Sequence, residues 1–142
     1  QELNSKDDIQ VLFFGGGEKE VKALSELESK YKNTLNLAGK FKLDKELLLL
    51  ANLDLMLSMD SGNGHLAALY NVPVITIWGN THPYAGFKPF NQSDSNQLTA
   101  DRTKFPLIPT SIYGNKMPEG YEQVMYSIPA KKVVSKILEN IS

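Results

Sequence analysis

The sequence predicts an α/β domain built on a parallel sheet with helices on both faces. Two observations carry that prediction. Short apolar runs, "IQVLFF", "DLMLSM" and "PVITIW", end at glycines or polar turns, as strands buried within a parallel sheet do. Between them lie stretches whose apolar residues recur at helical spacing, and strands alternating with helices in this way make βαβ crossovers. No internal repeat and no low-complexity linker interrupts the 142 residues, so 1–142 is expected to form a single domain.

Taken in order, Ile9 to Phe14 stops at Gly15-Gly16-Gly17 and predicts a strand buried on both faces. Val21, Leu24, Leu27 and Tyr31 then share one helical face behind first-turn acids, which predicts a helix over 18–31. A brief strand is expected around Leu35 to Leu37, ended by Gly39. A helix from Asp44 to Ala51 follows, with Asp44 as its cap or first-turn acid. Asp54 to Met59 reads as the next strand and Gly64 to Tyr70 as a short helix, with Leu66, Ala67 and Leu69 able to pack on the sheet. Pro73 to Trp78 is a further strand.

From Gly79 to Tyr126 no period survives, and "FPLIP" and "SIYG" read as local strands or packed loop. The stretch 91–126 is expected to be an irregular insertion, of a length more often functional or ordered by a partner. Ser127 offers an N-cap and Pro129 suits a first helical turn. Val133, Val134, Ile137, Leu138 and Ile141 then make an amphipathic closing helix over 128–141.

Composition narrows the function. With 15 basic and 16 acidic residues the net charge of -1 gives no electrostatic reason to expect a nucleic-acid partner. There is no cysteine, and two histidines, His65 and His82, make an all-protein zinc site implausible, so neither metal nor cofactor is expected. No apolar run approaches the roughly 20 residues of a transmembrane segment, and the polar start is unlike a signal peptide. A cytoplasmic chain is the expectation. Gln1 begins the sequence without a methionine and close to a strand, so an excised piece of a longer protein is expected.

The densest chemistry lies in Asp60-Ser61-Gly62-Asn63-Gly64-His65, at the carboxyl end of a predicted strand and the start of a helix. Ligands of parallel α/β sheets sit at such ends. Glycines let a ligand approach the backbone, and the amides and dipole of the helix start favour a pyrophosphate. Ser61 can cap the helix or donate to a phosphate, His65 can donate to a phosphate, and Asp60 can accept from sugar hydroxyls or loop amides. The plainer alternative is a turn with a cap and a locally bonded histidine.

A serine hydrolase is disfavoured because Met59-Asp60-Ser61-Gly62-Asn63 is not a G-x-S-x-G elbow. A phosphoacceptor Asp60 would need acids after the first strand to hold magnesium, and "FFGGG" has none. The turn Gly15-Gly16-Gly17-Glu18-Lys19-Glu20 is neither a dinucleotide fingerprint nor a P-loop, although Glu20 could bond a ribose hydroxyl.

The stretch "NLAGKFKLDKELLLLANLDLMLSMDSGNGHLAALYNVPVITIWGNTHP" resembles the signature region of glycosyltransferase family nine, the ADP-heptose:lipopolysaccharide heptosyltransferases. The similarity lies in Asn-Leu-Ala-Gly-Lys at 36–40, Asp-Ser-Gly-x-x-His-Leu-Ala-Ala at 60–68, Val-Pro-Val at 72–74 and Trp-Gly-x-Thr-x-Pro at 78–83. The resemblance implies the Rossmann-like C-terminal half of a two-domain GT-B enzyme, lacking its first βα unit.

It further implies that Asp60 and His65 are catalytic. Ser61, Gly62, Asn63, Gly64 and Thr81 would bind the diphosphate and sugar, while Glu20 and Phe41 would hold ribose and base. The implied partners are a nucleotide diphosphate sugar, an ADP-sugar foremost, and a glycolipid or saccharide acceptor bound by the other half. The implied location is the cytoplasm, at the inner face of the membrane.

The chain departs from the family in having no assignable phosphate-binding lysine and no cysteine in 91–126. A non-catalytic nucleotide-binding domain and a GT-B nucleotide-sugar epimerase are the alternatives.

Overall fold

The computed structural model describes residues 2–142. The fold is α/β with parallel strands, and the chain forms two compact units, one ending at Leu48 and one running Leu49–Ser142.

In the first unit β1 (Val11–Phe13) and β2 (Thr34–Asn36) pair in parallel, with Leu12 opposite Leu35. The helix α1 (Glu18–Lys30) links them and packs on β2. Its boundaries follow from chemistry visible in the sequence: Gly17 at φ 80 turns the chain, Glu18 and Glu20 meet the positive helix start, and Lys30 sits in the last turn. Burial on both faces does not hold for β1, whose three residues are half-buried. Among the described residues β1 pairs with β2 only, so one of its edges and part of its apolar surface stay open.

The buried end of this unit is Asn36, Leu37 and Ala38. The backbone amide of Asn36 and both polar atoms of its side chain have partners inside. Its amide donates to Glu28 Oε1 at 2.8 Å, its Nδ2 to Ser25 Oγ at 2.9 Å and Val21 O at 3.3 Å, and its Oδ1 accepts from Ala38 N at 3.0 Å. The helix α2 (Leu43–Leu50) follows, with Asp44 in its first turn.

The second unit holds β3 (Met56–Met59), β4 (Val74–Trp78) and β5 (Gln97–Thr99), parallel and in that order. Ser58 lies opposite Thr76, and Thr76 opposite Gln97. β4 is buried on both faces, with Val74, Ile75 and Trp78 fully enclosed, as its continuous apolar run requires. The helix α3 (Gly62–Leu69) packs on β3 and β4 through Ala67 and Ala68.

β5 falls inside the stretch expected to be irregular: three residues of polar-apolar-polar pattern are too short for a period to be seen. "FPLIP" is packed loop. Ile108 is buried, and Tyr121 meets Phe105 edge-on at 5.1 Å and accepts the Leu107 amide at 3.0 Å. "SIYG" is a turn with exposed Ile112 and Tyr113.

The closing helix α4 (Ala130–Ile141) buries Ile137, and Pro129 rather than Ser127 occupies its N-cap. The Ser127 hydroxyl instead accepts from Asp101 N at 3.0 Å and donates to Val124 O at 2.7 Å, tying the loop after β5 to the turn before α4.

Candidate functional site

Because β3, β4 and β5 are parallel, their carboxyl ends share one edge of the second unit. Three connections leave from that edge: Asp60-Ser61 into α3, Gly79 to His82 after β4, and Ala100 to Arg102 after β5.

The first is the most open. Ser61 stands at the N-cap of α3 in extended backbone (φ -149, ψ 163), the geometry that ordinarily lets a serine hydroxyl close the first helical turn. Here it makes no cap bond. Its Oγ lies 2.9 Å from Ser58 Oγ, and Ser58 in turn donates to Met59 O at 2.6 Å. The first-turn amides of α3 at Gly62, Asn63 and Gly64 are thereby left without a side-chain acceptor and with the positive end of the helix behind them.

Gly62 is exposed, whereas Gly64 is buried for a packing reason. A Cβ at Gly64 would come within 2.9 Å of Ser58 Oγ and 3.5 Å of Val74 Cγ1, so this glycine lets α3 lie close on the sheet. Asp60 and His65 are half-buried, and no hydrogen bond or ion pair holds either side chain among the described residues.

The second connection is more closed. Thr81 and His82 are buried. Gly114, at φ 62, rests against the Thr81 methyl, and a Cβ there would lie 2.6 Å from Thr81 Cγ2. The Asn80 carbonyl accepts from Thr110 N at 3.0 Å, so the turn at 110–117 folds over this loop.

His82 Nδ1 accepts the Tyr84 amide at 3.2 Å, and its ring lies 4.2 Å from that of Tyr84. Burial, and secondarily the Arg102 guanidinium, hold His82 below its ordinary pKa. Arg102, on the third connection, sits over the outer Tyr84 ring at 5.8 Å and is anchored by its Nε to Ile108 O at 3.1 Å.

Asp60, Ser61, Gly62, Asn63, Gly64, His65 and Thr81 are therefore gathered at one edge of the second unit. Glu20 and Phe41 belong to the first unit, each just beyond the carboxyl end of a strand. The Glu20 carboxylate accepts the Gly16 amide at 2.8 Å and so braces the glycine turn. Phe41 is exposed.

Sequence reasoning missed Ser58 and Arg102. The signal for Ser58 was available, because it is the one hydroxyl inside the apolar run "DLMLSM". Arg102 had none, since it follows a strand that shows no period.

A polar recess of about 310 Å³ lined by Asp7, Asp8, Ile9, Gln10, Lys32 and Asn33 lies at the other end of the first unit's strands, and Asp7 and Lys32 form an ion pair at 2.7 Å there. Among the described residues no group of three histidines, cysteines or acids is placed to hold a metal, and no helix is long and apolar enough to cross a membrane.

A family model described as glycosyltransferase family 9 (heptosyltransferase) matches residues 1–108. Lipopolysaccharide heptosyltransferase 1 of Campylobacter coli is 34% identical over 80 residues, 54% of this chain and 23% of that protein. The aligned part thus spans less than a quarter of that relative's length. No solved structure matches the chain.

Proposed function

The chain belongs to glycosyltransferase family 9, and we propose that it forms the donor-binding part of a metal-independent, inverting GT-B transferase acting on a nucleotide diphosphate sugar. The observation that carries the proposal is the side-chain-free amino terminus of α3, directly behind Asp60 at the carboxyl edge of the sheet. Free amides at a helix start, with the positive end of the helix behind them, favour a diphosphate.

In the proposed reaction an acceptor hydroxyl attacks the anomeric carbon of the donor. The new glycosidic bond forms as the bond to the diphosphate oxygen breaks, and the acceptor proton passes to a base outside the residues assigned here. Charge then accumulates on the leaving diphosphate. In this reading the amides of Gly62, Asn63 and Gly64 and the His65 imidazole stabilise it, with Ser61 lining the diphosphate site at the start of α3, which is electrostatic catalysis by fixed donors. Asp60 accepts from sugar hydroxyls, and Thr81 shapes the neighbouring wall.

An ADP-heptose-like donor and a lipopolysaccharide-core-type acceptor are the substrates proposed for the whole protein, on its likeness to a lipopolysaccharide heptosyltransferase. A glycolipid acceptor of this kind places the enzyme in the cytoplasm at the inner face of the membrane. Calorimetric titration of the full-length protein with ADP, UDP and GDP tests the donor assignment. Preference for ADP is expected; a uridine preference would favour an epimerase, and no nucleotide binding a scaffold without catalysis.

A further inference from the structure

Ser58 is buried on β3 beneath Gly64 of α3, yet its hydroxyl decides what Ser61 does. One proton is available to it, and that proton goes to Met59 O at 2.6 Å. The 2.9 Å contact between the two hydroxyls is therefore donated by Ser61. Donation leaves the Ser61 oxygen its lone pairs, so it is the position of Oγ, held against Ser58 and turned toward β3, that keeps an N-cap serine in capping backbone geometry from accepting the α3 amides.

Gly64 completes the device. A side chain there would collide with Ser58 Oγ, so the glycine admits the hydroxyl beneath the helix. We infer that Ser58 is a positioning residue: it holds Ser61 out of the cap and keeps the amino terminus of α3 ready for an oxyanion. The inference rests on the donor-site reading for the identity of that oxyanion, but not for the arrangement of the hydroxyls.

The test uses full-length wild type, Ser58→Ala, Ser61→Ala and the double variant, with two readouts. Amide hydrogen exchange at Asn63 and Gly64 is expected to slow in Ser58→Ala, where Ser61 becomes free to cap, and to stay fast in the double variant. ADP affinity is expected to fall about fivefold in Ser58→Ala, the size of a typical N-cap bond that the diphosphate must now displace. In the Ser61→Ala background the Ser58 change is expected to have no effect on affinity.

Unchanged exchange in Ser58→Ala overturns the inference, and so does an affinity loss that persists without Ser61, which a merely structural role would give. Absence of ADP binding to wild type would count against the donor site alone, because the exchange experiment still decides the role of Ser58.

Discussion

The indole N–H of Trp78 donates to Gln97 Oε1 at 3.0 Å, joining the last residue of β4 to the first of β5. Trp78 is fully buried at the end of β4, where the loop that carries Thr81 and His82 leaves the sheet. Trp78→Ala is expected to destabilise the protein by about 3–5 kcal/mol, as removal of a buried aromatic does. Trp78→Phe keeps most of the surface but leaves Gln97 Oε1 without its donor, for about 1 kcal/mol. Urea unfolding of the two variants measures both, and similar midpoints for them would show that the hydrogen bond matters more than the packing.

Asn36 offers the matching experiment in the first unit. It is almost wholly enclosed, and its side chain joins α1 to the end of β2 through Ser25, Val21 and Ala38. Asn36→Ala is expected to cost about 2 kcal/mol or more, since it leaves buried partners unsatisfied. Asn36→Asp is expected to do no better, because a carboxylate replaces the Nδ2 donor facing the Val21 carbonyl. A thermal midpoint for either variant equal to wild type would contradict this account of the Asn-Leu-Ala-Gly-Lys stretch.

Substitution of His65 separates function from folding. No bond holds its half-buried side chain among the described residues, so His65→Ala is expected to change stability by no more than about 0.5 kcal/mol. Loss of one donor to the leaving diphosphate is expected to lower kcat about 100-fold in the full-length enzyme. Wild-type turnover in His65→Ala would remove this residue from the mechanism.

A pH effect follows from His82. Burial first, and Arg102 second, place its folded pKa below the ordinary 6.5. The unfolded chain therefore takes up a proton more readily than the folded one. The stability that neutral His82 supports is present above 6.5 and lost as the pH falls from there through the folded value. His82→Asn keeps an acceptor for the Tyr84 amide and does not titrate. The urea midpoint is expected to drop more for wild type than for His82→Asn on going from about pH 7.5 to about pH 5.5; parallel drops would contradict the assignment.

Much of this architecture was legible because continuous burial leaves a continuous apolar run: β4 and the helices α1, α3 and α4 could be placed to within two residues or so. The buried state of β1 was not legible, because an apolar run records what a strand can bury rather than how many neighbours it has. β5 escaped because Gln97, Leu98 and Thr99 give only one apolar residue, and its place is set by pairing with β4.

In the candidate site, residue types at 60–65 were legible, while the direction of the Ser61 hydroxyl was not. That direction depends on Ser58, three residues earlier on a different element.

The central claim, that a donor diphosphate sits on the amino terminus of α3, is tested most directly by titrating the isotopically labelled full-length protein with ADP and following backbone amide resonances. The account expects the largest shifts at Gly62, Asn63, Gly64 and His65, with smaller ones at Thr81. Shifts confined to other positions, such as the recess at Asp7 to Gln10, or no shifts at all at saturating ADP, would contradict it.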